Sequence, residues 1–404
     1  MNLLILALCG VGYFAICAEI VLYVFIGHAL QSEFGLEGSS KFYIYSILPA
    51  CTALSSLAGA LLFGYIADKY GRRIVFLLTI WISFIFSCAS AFSPSFPIFI
   101  VLRCFSALGL GGMGVVDFIY YLELIPSTPT KSSETSNYSM VVFVLGCIGV
   151  LFLAVLNIFV GDWRILVLLA SAPLLVAAIF RYFVATETTQ YLLIGEDDEN
   201  CKEEEQQHQP AKTLYILGGM WFVQSFFYWG ITLFLPVFLT DSGVAPSFTL
   251  FLMIACELPG CILMLILVHM IEPIKAGSLM YSGALLSLLS LSLPYSSTIF
   301  TIVSCCLVYL FFIPTWMLLL YLSPLYYPVQ ERGRYTSYLQ GMQCLASTIS
   351  PFCSAYLISS PSPSSSFSLP WTVCLIILLL LFNILPRTPS STYITQTPNI
   401  PLYK

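Results

Sequence analysis

Charge is what this sequence has least of. Only 9% of its 404 residues are Asp, Glu, Lys or Arg and 59% are hydrophobic, whereas an average soluble domain is roughly 25% charged. No soluble fold hides so large an apolar fraction. Basic clusters are as scarce: the largest is Lys69, Arg72 and Arg73, and the net charge is −5, so the electrostatic footprint of a nucleic-acid binder is missing. The three histidines, His28, His208 and His269, are far apart in sequence, and the 14 cysteines contain no CxxC pair and no Cys/His cluster with ligand spacing. Neither a metal site nor a cofactor is expected. The cysteines fall mostly inside apolar runs, as at Cys104, Cys147, Cys305 and Cys306, and read as small packing residues. There is no G-x-x-x-x-G-K-[ST] loop for ATP, and no grouping of nucleophile, base or metal ligands at one depth, which an enzyme would need.

What is present is a succession of apolar stretches, each long enough to cross a hydrocarbon core of about 30 Å as a helix. They fall near residues 3–30, 43–66, 74–92, 97–122, 137–160, 165–185, 213–239, 247–271, 276–294, 298–322, 336–359 and 369–386. This predicts an all-α membrane protein with about twelve transmembrane helices. The first stretch lacks a charged leader and is too long for a signal sequence, so it reads as a span. With both termini on one side, Lys69, Arg72, Arg73, Lys131, Arg181, Lys202, Lys212, Lys275, Arg332, Arg334, Arg387 and Lys404 share that side. Lys41 and Arg164 fall on the other and Arg103 lies inside a span, a bias that makes the termini cytoplasmic.

The run from Glu187 to Lys212, with Glu196-Asp197-Asp198-Glu199 and Glu203-Glu204-Glu205, divides the spans six and six and reads as a solvated linker. The expected units are residues 1–186, the linker 187–212, a second six-helix half 213–386, and a polar tail 387–404. Ser359 to Ser368 alternates Ser and Pro and is expected to form an external loop before the last span. The sequon at Asn137-Tyr138-Ser139 falls at the cytoplasmic end of the fifth span, where it is expected to stay unmodified.

Between the second and third spans lies Gly64-Tyr65-Ile66-Ala67-Asp68-Lys69-Tyr70-Gly71-Arg72-Arg73. Glycines permit a tight turn and close helix approach, and arginines anchor at the interface. A plain positive-inside turn explains the arginines but not Asp68 or the paired glycines. In the fourth span, Arg103, Ala107, Gly111, Gly114 and Asp117 share one helical face, followed by Glu123-Leu124-Ile125-Pro126. Further along come Trp163-Arg164, Phe227-Tyr228-Trp229-Gly230, Glu257-Leu258-Pro259-Gly260 and Tyr326-Tyr327-Pro328 with Arg332-Gly333.

The 64–73 segment resembles the signature loop of the major facilitator superfamily, and the whole set is similar to its synaptic vesicle 2-related branch, close to the organic ion and sugar porters. That resemblance implies the major facilitator fold and secondary active transport of a small organic solute by a monomer, with proton coupling an open option. It also implies a cytoplasmic gate drawn from Gly64, Asp68, Gly71, Arg72, Arg73, Glu123 and Arg332. Departures from the family pattern are Thr186, Gln190, Pro324 and Cys344, and the second-half copy of the signature loop is reduced to His269 through Lys275. They leave open a second reading, a transport-inactive protein of the same fold with a binding or regulatory role, in the plasma membrane or on vesicles.

Carriers of this fold place substrate near the bilayer midplane between the halves. Candidate cavity residues are Tyr228, Trp229, Glu257 and Trp316, with Trp221, Phe227 and Tyr309 as further aromatics. Glu19 and Arg103 are candidates for proton coupling, together with Asp117. Counted from the external side at 1.5 Å per residue, Glu19 and Arg103 lie at about 16 Å and 9 Å, within reach of each other. An isolated charge in lipid is costly, so each needs a partner. Related sugar porters carry an acid in the first span near an arginine in the fourth. A static ion pair is the competing reading of these two residues.

Overall fold

The computed structural model describes residues 3–36, 43–124, 132–187, 211–241, 246–291, 298–326, 332–358 and 363–386. In a bilayer every backbone polar group must be satisfied within the protein, which for apolar runs of this length leaves the α-helix. The helices are α1 Leu3–Glu33, α2 Leu48–Tyr70, α3 Arg72–Ser90, α4 Phe96–Leu124, α5 Ser132–Phe159 and α6 Trp163–Val184. There follow α7 Ala211–Asp241, α8 Pro246–Ala255, α9 Glu257–Met270, α10 Pro273–Ser290, α11 Thr298–Leu322, α12 Arg332–Ile358 and α13 Pro363–Ile384. Among the described residues, eight helical stretches are long and apolar enough to cross a membrane by length and composition alone.

The eighth expected span is present as one apolar stretch, Phe248–Met270, with a one-residue interruption at Cys256 that divides it into α8 and α9. Pro259 has no N–H to give to the carbonyl four residues earlier, so the α-helical ladder is interrupted there and restarts at Glu257. The Ser/Pro stretch 359–368 is not all loop, because α13 starts at Pro363. Proline at a helix start gives up nothing, since its missing N–H belongs to the first turn.

Helices α1 to α6 pack as one group and α7 to α13 as another. Within the first, α4 lies tightly against α2 and α3. At Gly111 the α2 backbone at Ser56 approaches so closely that no side chain fits. The α2–α3 turn is a single residue, Gly71, at φ 101°, a conformation open to glycine and strained for other residues. The halves meet where α2 runs along α12 and where α5 faces α8, α9 and α11.

On the face opposite the α2–α3 turn, Leu250 and Ile254 of α8 join Leu22, Ile26, Leu30, Ile44, Leu48, Leu153 and Ala154 in one apolar cluster. That cluster seals the seam between the halves. A hydrogen bond from Ser46 Oγ to the Pro351 carbonyl (3.4 Å) crosses the same seam.

Candidate functional site

Two buried ion pairs organise the amino-terminal half. Arg103 Nη1 donates to Glu19 Oε2 at 2.8 Å and to Ser87 Oγ at 2.9 Å, and Nη2 donates to the Glu19 carbonyl at 3.2 Å. Ser87 Oγ donates in turn to Glu19 Oε1 (2.7 Å), with Ser171 Oγ of α6 at 3.0 Å from the same oxygen. Both charged side chains are essentially inaccessible, at 1% and 0% exposure, so helices α1, α3, α4 and α6 are tied through one carboxylate. The Arg103 guanidinium also lies over the Tyr23 ring, 5.4 Å from its centroid.

The second pair was not anticipated. Arg181, expected among the interfacial cytoplasmic cations, is buried and forms a two-pronged ion pair with Asp117, Nη1 to Oδ1 being 3.0 Å. Its guanidinium lies over the Phe76 ring at 3.8 Å, and Gly12 of α1 leaves the space that it occupies. Asp117 is therefore set apart from the Glu19–Arg103 pair and has its own partner. Depth counting would have found it. Arg181 is 18 residues into α6 and Asp117 is 21 residues into α4, at about 27 and 31 Å from the same face.

At the α2–α3 turn, the Glu187 carboxylate accepts from the backbone N–H of Arg72 (2.9 Å) and of Arg73 (3.3 Å). A carboxylate at the free N–H groups of a helix start satisfies orphan donors and the helix dipole together. Arg72 Nη1 closes the other side by donating to the Ala67 carbonyl at 2.8 Å. Gly64 of α2 faces Ser337 of α12, in the other half. The side chains of Asp68, Glu123 and Arg332 lie outside the described residues. On the opposite face, Glu33 is held by Arg164 (Nη2 to Oε1 2.6 Å) and by the indole N–H of Trp163.

Between the halves is a cavity of about 190 Å³. It lies on the turn side of the apolar seal and is lined by residues of α1, α2, α4 and α5 from one half and of α7, α9, α11 and α12 from the other. Tyr228, Trp229, Glu257 and Trp316 all contribute, as do Trp221 and Asp117. The aromatic wall is locked edge to face: Trp221 on Trp316 at 5.9 Å, and Tyr228 on Trp316 at 5.7 Å. Phe227 and Tyr309 do not line it. Phe227 packs against Phe312 in the core, with the rings tilted by 40°, and Tyr309 donates to Thr232 Oγ1 at 3.0 Å.

Asp117 and Glu257 are the charged side chains of the lining, and both are acids. Glu257 opens α9 at the helix break, is 3% exposed, and has no Lys or Arg partner among the described residues.

The carboxy-terminal half has a neutral counterpart to the first ion pair. Gln224 of α7 donates to Thr315 Oγ1 of α11 (2.9 Å) and accepts from the Tyr281 hydroxyl of α10 (2.9 Å). These are the first, fourth and third spans of that half, the positions that Glu19, Arg103 and Ser87 take in the other.

Residues 8–324 match the Major Facilitator Superfamily. The chain belongs to that superfamily. Within it, the chain is 36% identical over 194 residues to organic cation/carnitine transporter 7 of Arabidopsis thaliana, covering 47% of this chain and 36% of the relative. It is 25% identical over 194 residues to the synaptic vesicle 2-related protein of Rattus norvegicus, covering 47% and 34%. The chain thus spans about a third of the length of these curated relatives. The fold is that of the xylose transporter XylE from E. coli in an inward open conformation, with a TM-score of 0.75, 15% identity and coverage of 96% and 97%. As a facilitator-superfamily member this is a multi-pass membrane protein.

Proposed function

We propose that this chain is a secondary transporter of small organic cations working by alternating access, with both termini and the 187–212 linker in the cytoplasm. The observation that carries the reading is the cavity: among the described residues its lining has two carboxylates, no cation, and a wall of three tryptophans and two tyrosines. A desolvated aromatic face attracts a quaternary or protonated amine by cation–π interaction, and Glu257 supplies the countercharge that such a guest needs in a low-dielectric site. Asp117 already has its countercharge in Arg181, so Glu257 is the acid that recognises the guest. Similarity to the Arabidopsis organic cation/carnitine transporter supports the same chemical class.

The seal on the Leu250 and Ile254 side, with the cavity extending toward the α2–α3 turn, corresponds in this reading to a form that faces the cytoplasm. Opening of the other face requires the halves to rock about the site. The moving units are 1–186 and 213–386, and the carrier works as a monomer in the plasma membrane or a vesicle membrane. Gly64, Asp68, Gly71, Arg72, Arg73, Glu123 and Arg332 form its cytoplasmic gate. Glu19, whose carboxylate ties four helices together, is the group on which proton drive acts, and at the matching place in the carboxy-terminal half the Gln224 cluster is neutral.

The test is ligand stabilisation of purified protein with tetraethylammonium, p-aminohippurate and D-xylose as cationic, anionic and neutral probes. Saturation at one hundred times Kd adds about 2.7 kcal/mol, so tetraethylammonium should raise Tm and Glu257→Gln should abolish the shift. Stabilisation by the anion, or an unchanged shift in the variant, would overturn the cation reading.

A further inference from the structure

Cys147 of α5 and Cys261 of α9 come from opposite halves, and both are buried. Their Sγ atoms are 3.8 Å apart. Cys147 lines the central cavity, and the Glu257 carboxyl lies beside its thiol. We propose that this pair is an oxidative modification site: a hydroperoxide converts the two thiols to a disulfide that covalently joins the halves.

The geometry requires little. A disulfide has S–S of about 2.05 Å, so each sulfur moves by less than 1 Å, within the range of a small χ1 adjustment. The cavity admits hydrogen peroxide to Cys147. The thiol sulfur attacks one peroxide oxygen as the O–O bond breaks, Glu257 takes the thiol proton and returns it to the departing hydroxide, and water leaves. Cys147 is then a sulfenic acid. The Cys261 sulfur attacks the sulfenic sulfur, the S–O bond breaks, and the Cys261 proton leaves with the hydroxide as a second water. The sum is two thiols and one hydrogen peroxide giving one disulfide and two waters, with the sulfurs oxidised and the peroxide reduced.

Other neighbouring thiols do not substitute for this pair. Cys256 and Cys306 are close but both belong to the carboxy-terminal half, and Cys17, near Cys147, belongs to the same half as Cys147. Alternating access moves the halves against each other, so the link halts it. That consequence rests on the transport reading, whereas the link itself does not.

The test uses the full chain in detergent, treated with hydrogen peroxide, blocked with N-ethylmaleimide and digested for mass spectrometry. A peptide pair joined through Cys147 and Cys261 should appear, vanish with dithiothreitol, and fall at least tenfold in Cys147→Ser and in Cys261→Ser. It should persist in the Cys256→Ser/Cys306→Ser double variant, and each variant is first shown to be monodisperse. Separate N-ethylmaleimide adducts on both residues after peroxide would overturn the proposal. In proteoliposomes, peroxide should stop tetraethylammonium uptake reversibly in the native protein and not in Cys261→Ser, whose side chain lies outside the cavity lining. Uptake that continues with the link in place overturns the lock. If no form takes up tetraethylammonium, the cation reading fails, and the peptide result alone decides the cross-link.

Discussion

Glu19→Gln and Arg103→Met each strand one member of a buried ion pair. Removing one partner of such a pair costs about 3–5 kcal/mol, because the other is left desolvated and uncompensated. Arg103 and Glu19 are 1% and 0% exposed, so water does not relieve either. For a cooperative unit of 150–250 residues, each kcal/mol lowers Tm by about 2–4 °C, which gives a loss of about 6–20 °C for the amino-terminal half. The double variant, with both charges gone, should lie nearer the native Tm than either single, since a buried pair replaced by neutral groups is often isoenergetic. The assay is thermal unfolding in detergent, read as a double-mutant cycle. Strictly additive losses, or single variants within about 2 °C of native, would refute the reasoning.

Gly111→Val drives a side chain into the α2 backbone at Ser56, which cannot rotate away. The loss should exceed the roughly 1–3 kcal/mol of ordinary overpacking, read as loss of monodisperse protein, with Gly111→Ala intermediate. Glu187→Gln removes the charge that caps α3 at Arg72 and Arg73. It should cost about 0.5–2 kcal/mol, with a Tm fall of a few degrees that is smaller in high salt. A cysteine placed at position 208 should resist an impermeant maleimide applied to intact cells, and rapid labelling would reverse the proposed topology.

Helix positions were legible because lipid leaves apolar runs one backbone solution, and the Glu19–Arg103 contact followed from counting depth along two antiparallel helices. The same arithmetic brings Asp117 and Arg181 to one depth, but an arginine three residues from a helix end reads as an interfacial anchor. Only the packing, with Gly12 opposite, turns it inward. The break at Cys256 was written in Glu257-Leu258-Pro259-Gly260, yet hydropathy averages over a proline and hides a missing N–H. The Ser/Pro stretch misled in the opposite sense: those residues suit a helix start as well as a loop, and composition does not choose between them. Which aromatics face the cavity was beyond the sequence, since Tyr228 and Phe227 are neighbours on one helix, and only the position of α11 assigns one to the cavity and the other to the core.

The central claim, that Glu257 in an aromatic cavity recognises a cation that the protein then carries across the membrane, meets its most direct test in counterflow. Proteoliposomes loaded with unlabelled tetraethylammonium and diluted into a trace of the radiolabelled cation should accumulate label transiently above equilibrium. The account predicts that overshoot for the native protein and at least a tenfold smaller one for Glu257→Gln at equal reconstitution. An overshoot of native size in Glu257→Gln, or none from native protein that is folded and correctly inserted, would contradict it.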